Sequence, residues 1–170
     1  PELLEQGKGD IWDSGKIESD ASQWIAYQGK TLKRNAPYYW KVKIDTNKGT
    51  TDWSTPAFWT TGLFNEADWQ GQWIGLDKAA PGDSETQWSR LAARYLRKEF
   101  ALKKEVKRAT VHIAGMGLYE LFINGQRIGN QVLAPAPTDY RKTILYNTYD
   151  VTSLLQTENA IGVTLGNGRF

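Results

Sequence analysis

The sequence contains no cysteine, only one histidine and only one methionine among its 170 residues. Without cysteine there are no disulfides and no thiolate metal sites. With a single histidine, there is no multi-histidine zinc set and no basis for a Ser/His or Cys/His nucleophile pair. His112 lies between Val111 and Ile113. On a strand it would therefore point away from their side, and it is predicted to be a solvated residue on the face of a sheet.

Long apolar runs and charge of one sign are also lacking. No stretch of about 18 apolar residues occurs, so the sequence predicts no transmembrane helix. The 21 basic and 19 acidic residues give a net charge of +2 with no Lys/Arg stripe, which argues against nucleic-acid binding. No phosphate-binding glycine motif is present. Residues 1–6 have no signal-peptide pattern. A removed signal, a fragment and a cytosolic protein all remain open.

Tryptophan is present but unevenly placed. All eight Trp lie between Trp12 and Trp88, which indicates two modules with different cores. In the first, Tyr38–Asp45 alternates apolar and polar residues, and Trp53–Thr60 returns after a turn. Ser22–Tyr27 is predicted as a further strand with this pair.

The returning pair resembles the last two strands of a fibronectin type III domain. Such a domain has about seven strands in roughly 100 residues, and this module has about 60. The sequence therefore predicts a partial domain without its first strands. A small β meander, complete in itself, is the alternative.

The second module is dominated by a predicted β-hairpin. The side chains of Tyr119, Leu121 and Ile123 alternate with Glu120 and Phe122. Asn124-Gly125 follows directly. Asn-Gly best meets the positive φ angles of a type I′ turn, so the chain is predicted to return through residues 126–129. Further strands are predicted at three ranges, with a carboxylate-capped turn at Asp150 between the last two: Arg94–Phe100, Glu105–Ala114 and Asn159–Leu165.

The acidic residues of the second module give little indication of a catalytic site. Glycoside hydrolysis needs two carboxylates with separate roles. Glu120 is predicted on the outer face of a strand, Asp150 in a turn, and Asp139 beside Arg141. Each position has a structural explanation, and we therefore predict no catalytic residue in this chain.

Carbohydrate binding is easier to support, because loops at the edge of a β-sandwich can present amides and carboxylates to sugar hydroxyls. The candidate binding residues lie in three loops of the second module: Asn130, Gln131, Asp139, Tyr140 and Asn167. The alternative is that these are ordinary polar residues of turns.

Taken together, these segments resemble the N-terminal part of bacterial α-L-rhamnosidases of glycoside hydrolase family 78. The matching pieces follow one another in order along almost the whole chain: Trp12–Ile17, Tyr39–Val42, Trp53-Ser54, Asp68-Trp69, Trp73-Ile74, Gly117–Glu120, Ile123–Gly125, Ile128-Gly129, Val132–Pro135, Thr138–Tyr140, Tyr149–Thr152 and Leu165–Gly168. Related sandwich modules of β-galactosidases share only the Asn-Gly hairpin and the Asp-Val-Thr turn.

The resemblance implies an all-β fold: a partial fibronectin type III-like sandwich at residues 1–66, then a jelly-roll-type β-sandwich, the rhamnosidase N-terminal domain, at residues 67–170, with its last strands missing. It implies that an (α/α)6 barrel beyond Phe170 carries the inverting catalytic carboxylates. The implied partners are that barrel and a rhamnose-containing glycan. Some relatives bind rhamnose through calcium, and the equivalent surface is predicted at Asn130-Gln131 and Asn167. A secreted or periplasmic bacterial location is expected.

Two departures from the family pattern shift the expected role from sugar binding toward scaffolding. The family has Pro-Gly-Trp-Thr where this chain has Pro135–Thr138, and Gly-Trp-Tyr where it has Gly168–Phe170. Both missing Trp are of the kind that stacks on sugar rings. Three hypotheses stay open: a noncatalytic segment of a rhamnoside hydrolase, an autonomous carbohydrate-binding module, and a cell-surface structural module.

Overall fold

The computed structural model describes residues 2–75 and 92–166, and these fall into two compact units, Pro1–Gln72 and Trp73–Phe170. Strands dominate both units, so the all-β prediction is confirmed. One four-residue α-helix and two 3-10 turns are the helical content of the described ranges. The candidate residue Asn167 lies outside the described residues.

The first unit is built around a long antiparallel ribbon. Its elements, in chain order, are α1 Glu2–Glu5, β1 Pro37–Trp40, β2 Asp45–Thr46, β3 Gly49–Thr50, β4 Ala57–Thr60 and the 3-10 helix Glu66–Asp68. β1 pairs with β4, and β2 pairs with β3 at the tip of the ribbon. The predicted pairing of the Tyr38 and Trp53 segments through a turn is therefore confirmed.

The ribbon is interrupted midway because its two arms differ in length. Trp40 faces Ala57 and Asp45 faces Thr50, so the return arm has two more residues over this stretch than the outgoing arm. Hydroxyl groups restore the lost ladder bonds: the amide of Val42 donates to Ser54 Oγ (3.0 Å) and that of Ile44 to Thr51 Oγ1 (3.1 Å). The Trp-Ser motif of the sequence thus has a backbone-pairing role.

Two expectations for the first unit are wrong. Ser22–Tyr27 forms no strand, and Trp24 has a φ of 62°, which interrupts any extended run. The face predicted to be buried is open: Trp40 is 49 % exposed and Ile44 53 %. No second sheet covers the ribbon within the described part of this unit.

Polar contacts rather than an apolar core organise the first unit. Thr61 is the buried residue here among those described, and its hydroxyl donates to the carbonyl of Lys33 (2.6 Å) while accepting from the amide of Ala36 (3.0 Å). Asp68 accepts from the amide of Phe64 and forms an ion pair with Arg34. These bonds attach the segments flanking the ribbon to its base.

The second unit is a β-sandwich. Its elements are β5 Arg94–Ala101, β6 Thr110–Ala114, β7 Leu118–Ile123, β8 Gln126–Ile128, β9 Tyr146–Asp150, the 3-10 helix Thr152–Leu154 and β10 Glu158–Gly166. One sheet has the order β5-β10-β7-β8, and the other pairs β6 with β9, all antiparallel. β6 is shorter than the predicted strand from Glu105, since pairing with β9 begins only at Thr110.

The hairpin of β7 and β8 forms as predicted. Asn124 and Gly125 have φ angles of 51° and 82°, as a type I′ turn requires. This turn places Ile123 opposite Gln126 and Leu121 opposite Ile128. The inward side chains of β7 are almost fully buried, and Leu121 and Ile123 are each 1 % exposed.

The core lies between the two sheets of the second unit. Tyr119 and Leu121 of β7 form its centre with Ala134, and the partly buried side chains around them come from both layers: Val111, Ile113, Ile128, Tyr149, Ile161, Val163 and Leu165. Alternation along β7 and β10 directs one set of side chains inward and leaves the other set on the outer face of the four-stranded sheet.

Candidate functional site

The sequence-predicted binding loops lie after β8 and before β9. Asn130 and Gln131 are neighbours directly after the hairpin, and both are exposed. Gln131 Oε1 accepts a hydrogen bond from the hydroxyl of Tyr149 (3.0 Å), and the main-chain carbonyl of Gln131 accepts one from Arg127 (2.8 Å). The Gln131 side chain therefore already attaches the loop to β9.

Asp139 and Tyr140 form a second pair in a turn further along the same connection. Both carboxylate oxygens of Asp139 accept bonds from the Arg141 guanidinium, at 3.0 and 3.2 Å. These bonds hold the pKa of Asp139 below its ordinary value. The hydroxyl of Tyr140 accepts from the amide of Gly117 (3.2 Å). These groups stabilise the loop in the structure, and whether they also bind sugar stays a prediction.

A calcium site at these loops does not fit the described residues. Calcium takes six to eight oxygen ligands, usually with several carboxylates. In residues 2–75 and 92–166, no group of three or more His, Asp or Glu side chains is close enough to hold a metal ion. The amide oxygen of Gln131 is already engaged by Tyr149. We therefore assign no metal to this surface.

The remaining acidic candidates are also engaged. Glu120 points outward from β7 and pairs with Arg127 (3.2 Å). Asp150 accepts from the amide and the hydroxyl of Thr152, at 2.9 and 2.6 Å, which confirms the predicted carboxylate-capped turn. These bonds lower the pKa of Asp150.

His112 faces away from the core, as predicted, but it is only partly exposed. Nδ1 lies 2.9 Å from the hydroxyl of Thr148 on the paired strand, and the ring meets Tyr146 edge-on. Nε2 is buried without a hydrogen-bond partner among the described residues. Burial and the nearby positive charge of Arg108 lower the pKa of His112, so the imidazole is neutral near pH 7.

Acid titration is expected to remove the contribution of Asp150 to stability. Because the folded-state pKa is below the unfolded value of about 3.9, the contribution is complete above that value and is lost as pH falls through the folded pKa. Asp150→Asn keeps an acceptor oxygen but cannot titrate. The difference in unfolding free energy between wild type and Asp150→Asn, measured by urea unfolding from pH 7 to 2, should therefore shrink toward zero at acid pH. An equal difference at both ends would contradict the assignment.

The sequence did not reveal a cleft on the outer face of the four-stranded sheet. It has a volume of about 260 Å³. Its lining residues come from β7, β8, β10 and the loop after β8: Leu118, Tyr119, Glu120, Arg127, Val132, Leu133, Thr164 and Gly166. We call this space the outer cleft. The hairpin register could have placed Glu120 and Arg127 together, but no sequence signal places Val132 and Leu133 beside them.

A second hollow, of about 500 Å³, lies on the first unit between residues 9–13 and 28–30. Its one ammonium group, Lys30 Nζ, already donates to the carbonyl of Asp10 (2.6 Å). The ring of Trp12 at its edge packs against Tyr27, with centroids 5.2 Å apart. The hollow thus belongs to the local packing of these segments.

Comparison with known proteins separates the same two parts of the chain. Residues 2–65 match the family model described as Rha78A-like, N-terminal immunoglobulin domain. Residues 104–170 match the model described as Alpha-L-rhamnosidase N-terminal domain. The chain belongs to the N-terminal region of the α-L-rhamnosidase family. The first match is to an immunoglobulin domain, which is a β-sandwich like the fibronectin type III domain predicted from the sequence.

Individual α-L-rhamnosidases are similar over nearly the whole chain. The α-L-rhamnosidase of Formosa agariphila is 39 % identical over 98 % of this chain, and that of an Alteromonas species is 35 % identical over 95 %. The solved α-L-rhamnosidase from Dictyoglumus thermophilum is 42 % identical over 99 % of the chain, with a TM-score of 0.87. The enzyme from Aspergillus terreus is 33 % identical over 89 %, with a TM-score of 0.74.

The chain spans only about a fifth of these rhamnosidases. It covers 19 % and 18 % of the two bacterial relatives and 20 % and 18 % of the two solved chains. It therefore corresponds to a small part of an α-L-rhamnosidase, and the family models place that part in the N-terminal region. No helix in the described ranges is long and apolar enough to cross a membrane.

Proposed function

We propose that the natural polypeptide carrying this chain hydrolyses terminal α-L-rhamnose residues from rhamnosides with inversion. This chain serves it as a noncatalytic scaffold or substrate-recognition segment. One observation carries the proposal: the similarity runs across both units, over 95–99 % of the chain, to proteins that are each described as α-L-rhamnosidases.

The arrangement of carboxylates supports placing the chemistry elsewhere in the polypeptide. An inverting glycosidase needs one carboxylic acid and one carboxylate base that are both available to the substrate. In the second unit, Asp139 is held by Arg141, Asp150 by Thr152, and Glu120 by Arg127. The hydrogen bonds to Asp139 and Asp150 lower the pKa of both groups, and a proton donor at the glycosidic oxygen is the role that a lowered pKa suits least.

Activity on an aryl α-L-rhamnoside tests this proposal directly. We expect the natural polypeptide to release the aryl group, with β-L-rhamnose as the first sugar product in a proton NMR time course. The 170-residue chain should release no more than the buffer blank. Turnover by the chain alone at a rate comparable to that of the natural polypeptide would overturn the noncatalytic role, and retention of configuration would overturn the inverting mechanism.

The proposed partners are a catalytic domain in the same polypeptide and a glycan or glycoside that bears rhamnose. The proposed location is secreted or periplasmic in a bacterium, where a rhamnose-bearing glycan would be met. Immunoblotting of culture medium, periplasm and cytoplasm checks the location. Recovery in the cytoplasmic fraction alone would contradict it.

A second candidate function, carbohydrate binding by the chain itself, is favoured by one specific observation. The outer cleft combines a paired acid and base with exposed apolar side chains, and ligand sites commonly join a few placed polar groups to apolar walls.

A further inference from the structure

One face of the ribbon in the first unit carries two exposed aromatic rings side by side. Tyr39 of β1 lies directly opposite Phe58 of β4, and their ring centroids are 6.0 Å apart with an angle of 36° between the ring planes. Tyr39 is 45 % exposed and Phe58 is 69 % exposed. The pair therefore presents an apolar surface on which the C–H face of a sugar ring can stack.

Two lysines continue the same face toward the tip of the ribbon. Strand pairing carries on past β1, because the amide of Val42 donates to Ser54 Oγ (3.0 Å) and the amide of Ser54 donates to the carbonyl of Val42 (2.8 Å). Alternate side chains of an extended strand share a face. Lys41 and Lys43 therefore lie on the side of the ribbon that carries Tyr39.

A single indole ring holds both ammonium groups. Nζ of Lys41 lies 4.7 Å from the centroid of the Trp53 ring, and Nζ of Lys43 lies 6.0 Å from it. An ammonium group over the face of an indole ring is attracted electrostatically. The ring restricts both lysine side chains, so less side-chain entropy remains to be lost when a ligand binds.

The two lysines give this face of the ribbon a local positive charge. Within residues 2–75 and 92–166, neither Lys41 nor Lys43 forms an ion pair with a carboxylate. The next carboxylate along the strand, Asp45, is paired with Lys16 at 3.0 Å. Both ammonium groups are therefore available to negatively charged groups of a ligand.

We infer that this face binds an acidic polysaccharide. We call the face, which consists of Tyr39, Lys41, Lys43, Trp53 and Phe58, the ribbon platform. The sugar rings of the bound polymer stack on the aromatic pair, and its carboxylate or sulfate groups meet the two ammonium groups. An extended strand spans about 13 Å from residue 39 to residue 43. The ribbon platform is thus a strip that suits a polymer, whereas small molecules usually bind in concave pockets.

The choice of a polysaccharide rests on the proposed function. Binding of the polymer to a noncatalytic unit raises the effective concentration of its rhamnose groups at the catalytic domain of the same polypeptide. A nucleic acid also offers rings and negative groups, but its binding usually depends on a basic patch or stripe. The chain has a net charge of only +2 and no such stripe.

Binding of the natural polypeptide to immobilised polymers tests the ribbon platform. At about 50 mM salt, where charges are weakly screened, polygalacturonate or dextran sulfate should be bound about tenfold more tightly than neutral dextran. This preference should disappear at about 1 M salt. Equal binding of acidic and neutral polymers at low salt would overturn the proposal. Tighter binding of single-stranded DNA than of either acidic polysaccharide would also overturn it.

Paired lysine substitutions locate the binding. Lys41→Gln/Lys43→Gln should weaken binding of the acidic polysaccharide by about tenfold, because it removes two charge contacts. Lys41→Arg/Lys43→Arg keeps both charges over the indole ring and should bind at least as tightly as wild type. Lys103→Gln/Lys104→Gln changes two exposed lysines of the second unit and should bind as wild type. A double Lys41→Gln/Lys43→Gln variant with a lower melting temperature but unchanged affinity would overturn the proposal, since the lysines would then only stabilise the ribbon.

Phe58→Ala tests the aromatic half of the ribbon platform. It should weaken binding of the acidic polysaccharide by about fivefold through loss of stacking, and unchanged affinity would overturn the role given to the rings. Turnover of the aryl α-L-rhamnoside by the wild-type polypeptide is measured in parallel. Normal turnover without a preference for acidic polymers would reject this inference alone, whereas absent turnover would reject the proposed function.

Discussion

Replacing Asn124 with alanine is expected to lower the free energy of unfolding of the second unit by about 3–5 kcal/mol, a large part of the 5–15 kcal/mol typical of a domain. The Asn124 side chain donates to the carbonyl of Leu154 (2.9 Å) and to Asn159 Oδ1 (3.0 Å), and it accepts from the amide of Ala160 (2.8 Å). Asn159 is 5 % exposed, so alanine leaves these partners poorly satisfied away from water.

Turn strain adds to this loss and can be separated from it. Asn124 has a φ of 51°, which costs alanine roughly 1–2 kcal/mol. Asn124→Gly keeps the left-handed turn and loses only the hydrogen bonds, so it should be less destabilising by about that amount. Urea unfolding followed by circular dichroism measures both variants. An Asn124→Ala protein within about 1 kcal/mol of wild type would show that the network contributes little.

Replacing Leu121 with alanine should lower the free energy of unfolding by about 2–5 kcal/mol, because it removes a buried side chain and leaves a cavity. Leu121 is 1 % exposed and lies opposite Ile128 on one side and Val163 on the other. Tightly paired strands on both sides limit how far the backbone can close over the space. The same variant should therefore unfold cooperatively at a much lower urea concentration.

The control for Leu121→Ala is the same substitution at a leucine that is partly exposed. Leu145 is 41 % exposed just before β9, so Leu145→Ala should cost about 1 kcal/mol or less. Leu121→Met conserves volume and should cost less than about 1.5 kcal/mol. Equal losses for Leu121→Ala and Leu145→Ala would mean that the core is not centred on β7.

The β7–β8 hairpin carries both core side chains and the polar pair of the outer cleft. Glu120 and Arg127 project outward from the same strands whose inward side chains, Leu121 and Ile128, contribute to the core. The Asn124 network holds the turn between them against the start of β10. Stability of the core and placement of the polar pair are thus coupled through one short element.

Much of the second unit could be read from the sequence because its signals are local. Alternation along β7, the Asn-Gly turn and the Asp150 turn each depend on residues a few positions apart. The first unit was predicted less well, because a local pattern does not show whether a strand will find a pairing partner. Ser22–Tyr27 has the composition of a strand, but a strand also needs a partner, and the backbone of Trp24 turns into the left-handed region instead.

The sequence by itself determined the all-β class, the hairpin with its inward residues, and the family to which the ordered motifs belong. Tertiary structure alone decided where the exposed polar residues meet. The pairing of β7 with β10 brings Glu120 next to Thr164, and the loop after β8 sets Leu133 beside them in a strained conformation. Such contacts depend on strand order and on backbone angles enforced by the whole fold, and neither is encoded in a local pattern of residues.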